Sequence, residues 1–140
     1  MATARSRKVF VNLPVSDLPR TKAFFAKLGF QFNAQFTDDN AACMILGEEG
    51  FVMLLRREFF ATFTKRPVAD RDAPTEVMVA LSCDSREEVA ALVRTAIENG
   101  GSAAMPPQDH GFMFASSFYD PDGHHWEVIW MDPSHVQPAT

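Results

Sequence analysis

Near the end of this 140-residue chain, FYDPDGHHWEV places His125 and Glu127 two residues apart, just after a turn. On a strand that spacing puts both side chains on one face. An imidazole beside a carboxylate can move protons, anchor a cationic ligand group, or supply two donors to a divalent metal. Glu127 is the candidate general base, because a carboxylate on an inner sheet face is costly to bury without a partner. A catalytic metal site needs a third protein ligand, which Glu76 or His110 would have to provide. His110 lies in PPQDHGFMF, where Gly111 permits a bend and Asp109 is placed to orient the ring, as suits a lid or an acid–base group. His124, directly after the turn, reads as a turn or solvent residue. Asn12 in VFVNLPV shares a strand face with Phe10 and Pro14 and offers a ligand both a donor and an acceptor. Met44, Met53, Met78, Met105 and Met113, with Phe10, could line a soft apolar cavity that adapts to varied shapes. The chain carries no phosphate-cradling glycine loop, nucleophile elbow, HExxH or CxxC.

These residues need elements to hold them. VFVNLPV reads as a strand, and Ser16-Asp17 with Pro19 opens a helix whose apolar face is Ala23, Phe24 and Leu28, closed by Gly29. GFQFNAQF alternates as a strand does, through Phe30, Phe32, Ala34 and Phe36. AACMILG and FVMLLRR follow as two more strands across short polar turns. Residues 57–75 break the pattern: Phe59, Phe60 and Phe63 mix with charges and two prolines, which reads as a short helical turn and then a solvated linker. The order then restarts. EVMVALSCD is a strand, and Ser85 caps a helix with a Val89, Leu92, Val93, Ala96, Ile97 stripe. SAAMPPQ is a proline-broken edge strand, and FMFASSFYD and HHWEVIWMD form a hairpin through DPDG. A β-α-β-β-β module is thus written twice, at about 8–57 and 76–132 with a linker at 58–75.

The composition narrows the partners. Thirteen basic and eighteen acidic side chains leave a net charge of −5, which disfavours a nucleic-acid surface. Cys43 and Cys83 each sit in an apolar run and read as buried free thiols of a reducing compartment. No apolar segment approaches the roughly 20 residues of a membrane helix, and MATARSRK is not followed by a leader-type apolar region. A soluble cytoplasmic protein is expected, binding neither membrane nor nucleic acid. Thirteen Phe against one Tyr is an unusual surplus.

VNLPVSDLPRTKAFFAKLGF and FYDPDGHHWEV together resemble the vicinal oxygen chelate superfamily of glyoxalase I, bleomycin-resistance proteins, fosfomycin-resistance enzymes and extradiol dioxygenases. The resemblance spans residues 8–132. It implies an α+β fold, two tandem βαβββ modules forming a U-shaped mixed sheet with a small-molecule cleft, and commonly a homodimer. Carried over position by position, the family's metal ligands fall at Phe10, Met53, Met78 and Glu127. Three of these cannot hold a hard or borderline divalent ion, because a Met thioether is soft and Phe has no donor. The expectation is therefore a small-molecule binding protein without a cofactor, with Phe10, Asn12, Met53, Met78, His110 and His125 around the ligand and Glu127 as its acid or base. The alternative is a lyase or dioxygenase of the glyoxalase I type with a rearranged metal set at Glu127 and His125.

Overall fold

The computed structural model describes residues 5–135. Residues 1–4, part of the segment read above for the lack of a leader, lie outside the described residues. The chain divides into two compact units, one ending at Asp70 and the other beginning at Arg71. Each contains a mixed sheet, so the α+β expectation holds.

In the first unit, β1 (Val9–Val15) runs parallel to β4 (Gly50–Arg56), followed in the sheet by antiparallel β3 (Ala41–Ile45) and β2 (Gln31–Phe32). Helix α1 (Leu18–Lys27) begins where the Asp17 carboxylate accepts the Arg20 amide at 3.1 Å, with Pro19 in its first turn. It buries Leu18, Thr21, Phe24 and Phe25; Ala23, expected on that face, is exposed. Thr21 tolerates burial because its hydroxyl donates to the Asp17 carbonyl at 3.1 Å. One face of the sheet, with Leu13, Val15, Met44, Val52 and Leu54, is fully or nearly fully buried. β2 stops after two residues, against the longer strand expected. Asn33 accepts the Gln35 amide at 3.0 Å and starts a 3₁₀ turn at Ala34–Phe36, so a local side-chain bond overrides the alternating pattern.

In the second unit, β5 (Met78–Ser82) pairs parallel with β9 (His125–Met131), which pairs antiparallel with β8 (Met113–Tyr119). The proline-broken segment supplies two short edge pieces on β8, β6 (Ser102–Ala103) and β7 (Gln108–Asp109). Helix α3 (Arg86–Glu98) is capped as read: Ser85 Oγ accepts the Glu88 amide at 3.0 Å, while Glu88 accepts the Asp84 amide at 2.7 Å. The parallel pairing of first and last strands thus recurs in both units. Both cysteines are buried and free. Burial pushes the Cys83 thiol up to about 11, with Glu88 and Asp84 adding to the effect, so it stays un-ionised and unreactive near neutral pH. No helix among the described residues is long and apolar enough to cross a membrane.

Candidate functional site

The first unit folds its own tail over its sheet. The open face of the β1–β4–β3 ladder carries Phe10, Asn12 and Pro14, then Phe51, Met53 and Leu55, then Ile45, Cys43 and Ala41. Directly after β4, α2 (Arg57–Phe60) and a 3₁₀ turn at Ala61–Phe63 place three phenylalanines opposite that face. Between them lies a cleft of about 520 Å³. Asn12, Met53 and Leu55 form its floor, and Phe59, Phe60 and Phe63 its opposite wall. Ala41 and Thr64 complete it, so no lining side chain carries a formal charge.

Polar bonds fix the cap from both ends. The Arg56 guanidinium donates to Asn40 Oδ1 at 2.9 and 3.2 Å and to Glu58 at 3.0 Å. Arg57 donates to the Ala69 and Val68 carbonyls at 2.9 and 3.4 Å. These cations are thereby drawn onto partners of their own. Phe59 and Phe63 meet edge to face at 5.1 Å, yet Phe63 remains 70% exposed. A large ring held at a cleft mouth and left in water gains burial when a ligand arrives.

In the second unit the open face carries Met78 beside His125, Ala80 beside Glu127, and Ser117 and Tyr119 across the hairpin. His125 and Glu127 share this face as expected, with His125 Nε2 3.8 Å from Glu127 Oε1. That is too long for a hydrogen bond. His125 is 9% exposed, and its Nε2 has no hydrogen-bond partner, whereas the Glu127 side chain is 34% exposed. The Tyr119 ring packs edge-on against the imidazole at 5.4 Å. On the opposite face Trp126 and Val128 are fully buried.

The DPDG turn holds this hairpin through Asp120. Its Oδ1 accepts the amides of Asp122 at 2.9 Å and His124 at 3.0 Å, and its Oδ2 accepts the Trp126 indole N–H at 3.0 Å. Burial pushes the Asp120 carboxyl up, against the pull of His124 and the indole N–H. The sequence shows the turn but not this carboxylate, because its bond to Trp126 depends on strand register.

Of the expected site residues, Asn12 and Met53 line the first-unit cleft and are register partners. Phe10 lies further along the same face, half exposed and stacked on Phe51 at 4.9 Å. Met78 is 56% exposed on the second unit's open face. His110 is exposed in the β7–β8 turn, and Asp109 does not orient it. The Asp109 carboxylate instead takes Arg86 at 2.7 Å and the Gly111 amide at 2.9 Å, and the bond from Arg86 holds it below the usual carboxylate range. Glu76 is exposed ahead of β5. Among the described residues no three His, Cys, Asp or Glu side chains gather as a metal-binding group. The donor set present, one imidazole and one carboxylate on a strand, does not fit a divalent ion. Phe59, Phe60 and Phe63 were the residues not foreseen as a site. Their excess over ordinary core needs was visible in the composition, but their charged neighbours disguised them as linker.

Residues 8–128 match the family model of the glyoxalase/bleomycin resistance protein/dioxygenase superfamily. No curated protein matches the chain. A hypothetical protein from S. aureus is 27% identical and superposes with a TM-score of 0.76 over 91% of this chain and 95% of that one. A fosfomycin resistance protein from Mesorhizobium loti (15% identity, TM-score 0.62, 96% and 97% coverage) shares the fold. So does an antibiotic binding protein from Streptomyces sp. CB03234 (21% identity, TM-score 0.64, 93% and 99% coverage). With its β-α-β order repeated and the family model matched over nearly its whole length, the chain belongs to the glyoxalase/bleomycin resistance protein/dioxygenase superfamily.

Proposed function

We propose that this protein binds a small organic molecule in the first-unit cleft, by burial and two polar contacts rather than through a metal. The observation that carries the reading is the cleft itself: about 520 Å³, walled by a sheet face and an aromatic cap, with Asn12 and Thr64 as its polar points. That size and lining suit a ligand pocket, in which apolar walls give affinity and a few polar groups fix orientation. The donor set supports a metal-free mode, since Met53 and Phe10 stand where the family resemblance would put ligands. A fosfomycin resistance protein and an antibiotic binding protein among the structural relatives are in keeping with small-molecule capture. The expected homodimer and cytoplasmic location belong to the same proposal.

A second reading rests on His125. A buried imidazole nitrogen without a partner, 3.8 Å from a solvent-reachable carboxylate, suits a polar ligand group that bridges the two. Glu127 would then serve as a metal-free base on the second unit's open face.

A fluorescence titration separates a metal-free from a metal-bound mode. 2-Naphthol is added to protein dialysed against EDTA, and again after Zn²⁺, Mn²⁺ or Fe²⁺ is restored. The expected result is saturable binding whose affinity agrees within about twofold in both states. Binding that appears only with an ion, and is lost in Glu127→Ala, would reinstate the lyase or dioxygenase alternative.

A further inference from the structure

We infer that the cleft selects uncharged, planar aromatic molecules carrying one hydrogen-bonding edge. The inference rests on the proposed role of the first-unit cleft and adds the chemical class of its occupant.

Three observations converge on that class. The cap presents three rings and no aliphatic side chain of comparable size: Phe59, Phe60 and Phe63 face the sheet across the cleft. Phe59 and Phe63 already meet edge to face, a geometry that offers ring faces and edges to a third ring. The floor opposite is Met53 with Leu55, and a thioether makes favourable contacts with a ring it faces. A flat guest therefore meets sulfur and methyl groups on one side and aromatic rings on the other.

The second observation is the charge balance. No lining side chain is ionised; Arg56 bonds Asn40 and Glu58, and Arg57 bonds two backbone carbonyls, while Lys65 and Arg66, next in sequence after Thr64, are exposed and do not belong to the lining. An anionic guest would leave water for a site that offers it no cation, and a cationic guest would find no carboxylate on the lining.

The third is the placement of the polar groups. Asn12 can donate and accept at once, and the Thr64 hydroxyl, which already accepts the Arg66 amide at 3.2 Å, keeps its O–H to donate; both residues belong to the lining. Such a pair reads a phenol, amide or quinone edge and does not require a charge.

Three matched probes test the class: 2-naphthol, 2-naphthoate and decahydro-2-naphthol. The second adds a charge to the same rings, and the third keeps the hydroxyl and removes the planarity. Each is titrated into the full chain with the Met53 methyl resonance as the site reporter. The expected order places 2-naphthol at least about tenfold tighter than either analogue. In Phe63→Leu, which stays apolar but lacks the ring, the preference for 2-naphthol over decahydro-2-naphthol should shrink by about threefold to tenfold, while decahydro-2-naphthol keeps its affinity. Naphthoate or decahydronaphthol binding as tightly as 2-naphthol, with Met53 responding, overturns the class and leaves the cleft standing. Binding of 2-naphthol with Met53 silent overturns the cleft itself.

Discussion

Met53→Arg should lower 2-naphthol affinity at least about tenfold while leaving the fold intact, as measured by fluorescence titration and thermal melting. Met53 sits on the cleft floor between Asn12 on β1 and Cys43 on β3. A guanidinium there occupies part of the cleft and brings a solvated charge to a wall that has none. An apolar guest must then strip water from that charge or give up part of its own contact area. The fold should survive because the buried face of β4 is carried by Val52 and Leu54, which point the other way and stay as they are. A long side chain at a cleft wall can also extend its charged end toward solvent. Met53→Trp supplies the control: it fills the same space without charge and should also weaken binding. Ile97→Arg, at a half-exposed position of α3 in the second unit that does not belong to the cleft lining, should leave binding as in the parent chain. If Met53→Arg binds 2-naphthol as the parent does, the ligand is not in this cleft.

The second large effect concerns stability. Asp120→Ala should cost about 3 kcal/mol or more, read as a melting temperature lowered by roughly 10 °C. Asp120 is 1% exposed, and its two oxygens accept three donors. One of these is the indole N–H of Trp126, itself fully buried. Alanine removes the carboxylate that the indole N–H bonds in a place water does not reach, and it takes the same acceptor from two turn amides. Asp120→Asn separates the contributions. Its carbonyl can keep both turn amides, but its NH₂ group then faces the indole N–H, donor against donor. It should fall between the parent and the alanine variant. An unchanged melting temperature in Asp120→Ala would show that the hairpin does not depend on this carboxylate.

The parts of the fold that local chemistry dictates could be read from the chain. Asp17 and Ser85 announce their helices because an N-cap needs only a side-chain oxygen and an amide three residues on. The DPDG hairpin follows from Asp-Pro and a glycine at φ 85°. His125 and Glu127 share a face because strand periodicity allows nothing else. What escaped depends on distant partners. The strand after Gly29 shortens because Asn33 turns the chain, while Thr37 bonds both the Asn33 carbonyl and the Cys43 amide across the hairpin. Arg86 claims Asp109 from 23 residues away, so His110 loses the partner its neighbour seemed to offer.

The candidate site shows the same division. Asn12 and Met53 were legible as inward-facing positions on two strands, and the structure pairs them in register. Their aromatic cover was not legible, because Phe59, Phe60 and Phe63 follow no long periodicity and stand among Arg57, Glu58, Lys65 and Arg66. Only the return of the chain over its own sheet gives those rings a common surface. The surplus of phenylalanine noted in the composition is thereby partly located.

The central claim is that this chain holds a small organic molecule in the first-unit cleft without a metal. The most direct measurement is a methyl spectrum of chelator-treated protein, its methionines labelled, during a 2-naphthol titration. The claim predicts a saturating shift of the Met53 resonance, with Met105 and Met131 unmoved and no change when divalent ions are restored. A still Met53 resonance, together with a Met78 shift that requires a divalent ion and vanishes in Glu127→Ala, would contradict it.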